Sequence, residues 1–247
     1  MTQWKIASSY AIGQGHIKKD IPCQDRTFKL IQKHKSGSFY GLALADGAGS
    51  YKHSDIGAEM ISKKILYFIK SNFSRIFKQN RPNIFLIRFI EKELKILAKS
   101  KQIGIKELSS TLLFIAIKND KFIMGHIGDG VIGMLNQDDD LKIISYPENG
   151  EYANSTFFTT STSHKHRLRM LKGTLKSSKG FIMMSDGAEE SLFDKRTNTL
   201  INSNKNIINW LENNSEKAVE KALLENLEKV ITQNTQDDCS IGIMRLS

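Results

Sequence analysis

Apolar residues along this chain fall into two rhythms. Short stretches rich in β-branched and aromatic residues, alternating or continuous, predict strands over 6–12, 26–32, 39–45, 111–117, 121–127, 131–135, 141–145, 152–159, 181–184 and 240–245. Between them the spacing changes to three and four. Ile56, Met60, Ile61, Ile65, Phe68 and Ile69 make one stripe, which predicts an amphipathic helix over 56–73 with Ser54 or Asp55 as its N-cap. Ile84, Ile87, Ile90, Leu94 and Ala98 make a second over 83–99, with Pro82 suited to its first turn. Two more helices are predicted at 206–211 and 216–231. Lys118-Asn119-Asp120 and Gly128-Asp129-Gly130 supply turn chemistry between neighbouring strands.

Strands thus come in consecutive groups joined by short turns, with one helix pair after the early strands and another near the end. That order argues for an α+β architecture of mainly antiparallel sheets, not for regular βαβ winding. Two packed sheets with helix pairs outside them satisfy it. The 247 residues contain only three prolines and no Pro/Gly/Ser-rich linker, which predicts a single domain over 1–247. The N-terminus has no basic start leading into an apolar core, and runs such as 112–117 are far shorter than the roughly 20 residues of a membrane span. A cytoplasmic protein without membrane association is expected.

Charge changes the picture little. The net +10 comes from 28 lysines and 8 arginines dispersed along the chain, with no basic run of five or more. Nucleic-acid readers concentrate arginine, so no nucleic-acid partner is expected. A basic surface can still attract an acidic, phosphorylated partner. Cys23 and Cys239 lie too far apart for a metal knuckle and are too few for a disulfide framework, which predicts free, inert thiols.

Candidate chemistry lies at predicted strand ends. Asp46 follows Leu42-Ala43-Leu44-Ala45, Asp129 follows Gly125-His126-Ile127-Gly128, Asp186 follows Phe181-Ile182-Met183-Met184-Ser185, and Asp237 precedes the last strand. Three are followed by glycine, which is expected to let the backbone turn sharply and let another group approach closely. Several aspartates without His or Cys partners suit Mg²⁺ or Mn²⁺, and they do not suit structural zinc. Asp-Gly is also an ordinary turn dipeptide, and spacing alone does not show that the four converge.

Seven segments together resemble the metal-dependent protein phosphatases of the type 2C family, most closely their bacterial branch. In family order they are Pro22-Cys23-Gln24-Asp25; Ala45-Asp46-Gly47-Ala48-Gly49-Ser50 with Gly57-Ala58; Ser110-Thr111-Leu112-Leu113; Ile127-Gly128-Asp129-Gly130; Gly150-Glu151-Tyr152-Ala153-Asn154; Ser185-Asp186-Gly187; and Asp237-Asp238-Cys239-Ser240. The resemblance implies a four-layer α-β-β-α sandwich with a metal site at one end of the two sheets. It implies two Mn²⁺ or Mg²⁺ ions bridged by Asp46, with the Gly47 carbonyl on one ion and Asp186 and Asp237 on the other. Asp25 would hold metal-bound water, and Asp129 with Asp186 would match a third, weaker site. The implied reaction is in-line hydrolysis of phosphoserine or phosphothreonine in a protein by a hydroxide bridging the two ions, with Asp46, Asp186 and Asp25 as the catalytic carboxylates. A cognate Ser/Thr kinase is the implied counterpart.

Departures from the family pattern sit around the phosphate. Asp20 stands where many relatives carry a phosphate-gripping arginine, and Ala48 where eukaryotic relatives carry a histidine. His16 and Lys18 are the candidate substrate contacts, with Lys19 beside them. His126 is expected to pack on a strand. The polar, basic stretch 161–167 falls where relatives have a variable flap and reads as a solvated loop. Two other readings stay open: a phosphate-sensing or regulatory module of the same fold with weak turnover, and a phosphatase acting on small molecules.

Overall fold

The structure, a computed structural model, describes residues 3–34, 37–148, 156–161 and 168–247. The chain runs β1 (Trp4–Ala11), α1 (Gln14–Lys18), β2 (Arg26–Gln32), β3 (Phe39–Ala45), α2 (Ser54–Lys78) and α3 (Pro82–Lys101). Six strands follow: β4 (Leu112–Lys118), β5 (Lys121–Ile127), β6 (Val131–Asn136), β7 (Leu141–Ser145), β8 (Arg169–Thr174) and β9 (Ser178–Met184). Next come α4 (Asp186–Leu192), the short pair β10 (Phe193–Asp194) and β11 (Thr199–Leu200), α5 (Ser203–Asn213), α6 (Glu216–Lys229) and β12 (Cys239–Leu246).

Ten strands form two five-stranded antiparallel sheets, in the orders β1-β12-β9-β6-β7 and β2-β3-β4-β5-β8. Alternation along each strand divides its side chains between two cores. Tyr40, Leu42 and Leu44 of β3 and Leu113, Ile115 and Ile117 of β4 meet Ile6, Ile132, Phe181, Met183 and Met244 of the other sheet. Their alternates, Phe39, Ala43, Phe114 and Ala116, pack beneath Ile61, Ile65, Ile69, Ile87, Ile90 and Leu94 of α2 and α3. On the far side Ile182, Met184, Ile241 and Ile243 meet Ile208 and Leu211 of α5 and Val219, Leu223 and Leu227 of α6. Three apolar layers therefore separate four structural ones, in the order α-β-β-α.

Some expected elements differ. Residues 152–155 of the expected strand over 152–159 lie outside the described residues, and 157–159 run as loop and turn. The sheet edge is β8 instead. Its sequence carries no apolar alternation because only Met170 packs on the core. Leu171 is exposed, and Lys172 lies over the Phe77 ring while Nζ donates to the Phe77 and Gln79 carbonyls. Helix α2 starts at Ser54, but neither Ser54 nor Asp55 caps it. The Ser54 hydroxyl donates to the Tyr51 carbonyl, and Asp55 pairs with Arg26. Pro82 does open α3. Helices α1 and α4, of five and seven residues, are too short to show a periodic stripe.

Phe181 anchors the inter-sheet core, with the rings of Trp4 and Phe122 at 5.7 and 5.5 Å. Phe181→Ala should cost about 3–5 kcal/mol. Urea unfolding should show a lower midpoint with an unchanged slope, because the folded surface stays the same.

Candidate metal centre

Strand register brings the aspartates together. Arg26 pairs with Ala45, so Asp25 and Asp46, one residue beyond each, sit side by side. Met184 pairs with Ile241 on one side and Val131 on the other, so the starts of β12 and β6 meet the end of β9. Asp237, Asp129 and Asp186 therefore leave the other sheet at the same end. The turn after β3 is fixed from β4: Thr111 N–H donates to the Asp46 carbonyl at 2.8 Å, and the Thr111 hydroxyl accepts from Asp46 N–H at 2.9 Å.

Among the described residues, Asp46, Asp129 and Asp186 form one cluster whose carboxylate oxygens lie within 4.8 Å of one another. They share a cleft of about 380 Å³ with Gly47, Asp237, His16 and Lys19. Asp237 is exposed at the rim, outside the tight cluster. Asp25 lies buried beneath, with no hydrogen-bond partner for either oxygen among the described residues.

So many carboxyl groups in so little water raise one another's pKa. Burial, followed by the charges of Asp25, Asp186, Asp237 and Asp129, lifts Asp46 well above the ordinary carboxylate range. Burial, then Asp129, Asp237 and Asp25, does the same to Asp186. Burial pushes Asp25 up to about 7, although the Ser240 and Ser185 hydroxyls, near it but outside hydrogen-bond geometry, pull the other way. Asp129 is raised by burial, while the hydroxyl of Thr156, which donates to its carboxylate, pulls the other way. Acceptor-only oxygens that resist ionising without a counter-charge fit a hard divalent cation such as Mn²⁺ or Mg²⁺.

The glycines meet one of the two expectations. Gly47, Gly130 and Gly187 all keep ordinary φ, so none supplies a left-handed turn. They permit close approach: a Cβ on Gly187 would lie 2.1 Å from the Asp238 carbonyl oxygen, and one on Gly130 2.5 Å from that of Met184. The positive φ, +114°, falls one residue before Asp129, at Gly128.

His16 lines the cleft, and its Nδ1 lies 2.9 Å from Asp238 Oδ2. A carboxylate only accepts, so Nδ1 carries a proton. Nε2 then faces Gly49, where a Cβ would stand 3.9 Å from it. Asp238 also accepts from Gly13 N–H at 2.7 Å and Gln24 N–H at 2.6 Å. This buried carboxylate ties β12 to both ends of the loop that presents His16. In the sequence Asp238 falls in the last of the family-like segments, and the Asp237-Asp238 pair is its only local signal.

The remaining candidates are dispersed. Lys18 reaches Gln236 Oε1 at 3.4 Å, whereas Lys19 lines the cleft. Asp20 is exposed at φ 54°. His126 is buried on β5 with Nδ1 against the Ser145 hydroxyl at 2.8 Å, and burial lowers its pKa well below the usual value. Cys23 and Cys239 donate to the carbonyls of Asp25 and Asp237, and burial raises both thiols out of the reactive range. Glu151, Asn154 and the stretch 162–167 lie outside the described residues.

These shifts set the pH behaviour of the metal-free chain. A carboxyl whose folded pKa is raised contributes stability that is full below its unfolded value of about 4 and is lost as the pH rises through the folded one. Relative to Asp46→Asn in EDTA, the wild-type thermal midpoint should therefore fall between pH 5 and pH 8, by about 2–4 °C for each kcal/mol of repulsion. Mn²⁺ should raise the wild-type midpoint at pH 8 and barely move that of the variant. Parallel wild-type and variant curves across this range would show that the carboxyls do not share one field.

The family model for protein phosphatase 2C matches residues 12–228. Serine/threonine-protein phosphatase 3 of Escherichia coli (strain K12) is 24% identical over 179 residues, 71% of this chain and 70% of the relative. Among solved structures, the catalytic domain of the serine/threonine protein phosphatase PstP, in complex with two manganese ions, superposes with a TM-score of 0.62 at 13% identity, covering 100% of this chain and 99% of that one. PppA, a regulatory component of the type VI secretion system in Pseudomonas aeruginosa, gives 0.63 at 15% identity, covering 99% and 98%. Structural likeness at such low identity speaks for the fold, and the family model spans most of the sequence, aspartates 25, 46, 129 and 186 included: the chain belongs to the protein phosphatase 2C family.

Proposed function

We propose that this chain is a Mn²⁺- or Mg²⁺-dependent phosphatase of phosphoserine and phosphothreonine in proteins, acting as one phosphatase domain by direct in-line hydrolysis. The observation that carries this reading is the trio Asp46, Asp129 and Asp186, with oxygens within 4.8 Å, at the floor of a cleft rimmed by His16 and Lys19. The two-manganese complex of PstP supports a site for two ions. When bound, two divalent ions supply a hydroxide near neutral pH and offset charge on the phosphoryl oxygens.

The chain's own residues then divide the work. Asp46, Asp186, Asp237 and the Gly47 carbonyl hold the ions, with Asp129 and Asp186 the donors for a weaker third. Asp25, buried beside Asp46, accepts hydrogen bonds from water in the centre and so orients it. Protonated on both ring nitrogens, His16 donates Nδ1–H to Asp238 and Nε2–H to the phosphoryl group from the rim, in place of the arginine that Asp20 replaces. Asp238 fixes the ring of His16 and thus positions it. Lys19 adds positive charge at the mouth. No cysteine or serine acts as nucleophile, so the phosphoryl group passes to water directly. A Ser/Thr kinase must supply the phosphorylated residue.

The test is hydrolysis of p-nitrophenyl phosphate and a phosphothreonine peptide with Mn²⁺ and with EDTA. Wild type should turn over only with metal, and Asp186→Asn should lose at least ~100-fold, because replacing even the groups that support metal ligands costs about 10–100-fold. His16→Ala should lower kcat/KM on both substrates by about 10–100-fold, the worth of one hydrogen bond to a charged group. Absence of turnover with any divalent ion would sink the enzyme reading. Turnover of the aryl phosphate alone would favour a small-molecule substrate.

A further inference from the structure

A second hollow, of about 530 Å³, opens beside the metal cleft, and the two share His16, Lys19 and Asp237 as a common wall. Its other wall is the connection from α6 to β12, in particular Gln233, Asn234 and Gln236. That connection is held in place from below. Gly15 N–H donates to the Gln236 carbonyl at 2.8 Å. A Cβ on Gly13 would stand 2.2 Å from the Asp237 carbonyl oxygen, so the two backbones touch with no side chain between them. Asp238 anchors the next residue. The groove is therefore formed before anything enters it.

The lining is polar, and its amides are only half used. Gln236 Oε1 meets Lys18, Gln233 Nε2 donates to the Glu228 carbonyl, and Asn234 Nδ2 donates to the Ser191 hydroxyl. Gln236 Nε2, Gln233 Oε1 and Asn234 Oδ1 have no partner among the described residues. A free amino group at Gln236 and free amide oxygens at Gln233 and Asn234, along one wall, can meet both the C=O and the N–H groups of an extended peptide. Amides bonded to main chain read no particular side chain, so such a wall suits many sequences. A small phosphorylated metabolite would be satisfied within the metal cleft and would leave this wall unused.

We propose that the groove takes the polypeptide on one side of the phosphorylated residue, paired through its main chain with Gln233, Asn234 and Gln236. This rests on the phosphoprotein reading above and adds where the protein lies. The phosphoryl group enters the metal cleft, and the chain leaves it across Asp237 toward Gln236.

Phosphothreonine itself and phosphothreonine peptides extended by one to four residues on one side only test it, with Mn²⁺ present. Extension on one side should raise wild-type kcat/KM by about tenfold, as one or two net hydrogen bonds allow, and extension on the other side should raise it little. In Gln233→Ala/Gln236→Ala that gain should shrink to about twofold. Both side chains are exposed, so an unchanged thermal midpoint will show that the fold survives. Equal kcat/KM at every length in wild type, or a gain that survives the double replacement, overturns the groove. Loss of all metal-dependent turnover in wild type, on phosphothreonine and p-nitrophenyl phosphate alike, overturns instead the function on which it rests.

Discussion

Carboxylates do not gather willingly. Asp25, Asp46, Asp129 and Asp186 are held so close, and so far from water, that each has its pKa raised. A flexible loop would relieve that repulsion by moving apart. Here the groups are fixed by strand ends whose register is set across both sheets, and the sheets are fixed by the packed layer of Leu42, Leu113, Phe181 and Met244 between them. The apolar core is thus what makes an electrostatically unfavourable cluster possible, and the cluster is what gives one end of the sandwich its affinity for positive charge.

The same end shows how a single buried carboxylate can organise a neighbourhood. Asp238 accepts from two backbone amides and one imidazole. It is thereby satisfied in a way that Asp25, whose two oxygens have no partner among the described residues, is not. Adjacent residues at one strand start therefore face different demands: Asp237 lies exposed at the rim with one oxygen accepting from Asp238 N–H, while Asp238 is consumed in holding His16 and the 13–24 loop. A polar group already saturated by its own chain works as scaffold, and one left unsatisfied invites a ligand.

Much of this was legible in the sequence, and the failures are informative. Strands β3, β4, β5, β6 and β7 and the long helices α2 and α3 announce themselves because each buries a regular apolar face. Strand β8 does not, since Lys172 packs through its stem and Leu171 faces outward. The aspartates were visible as residues that end apolar runs, but their convergence depends on pairing between strands distant in sequence, which no local pattern encodes. Of the two reasons for the glycines after them, close approach holds and a special φ does not: backbone of neighbouring segments, Gln24 and Ser54 at Gly47, Met184 at Gly130 and Asp238 at Gly187, excludes a side chain there. Asp238 was hidden because its partners, Gly13, His16 and Gln24, lie more than two hundred positions away.

That separation has a consequence for how the molecule comes into being. Strand β1 pairs along its length with β12, and the carboxylates of Asp237 and Asp238 complete an end of the sandwich begun by residues 13–25. During synthesis β1 lacks its only hydrogen-bonded neighbour among the described residues until β12, more than two hundred positions later, emerges, and contacts so distant in the chain form slowly. A ribosome-bound intermediate could already have the helices α2 and α3 packed on their sheet and still hold a centre open on one side. Chemistry at this end is in that sense withheld by topology: a nascent or interrupted chain has most of the fold's mass and an unfinished site.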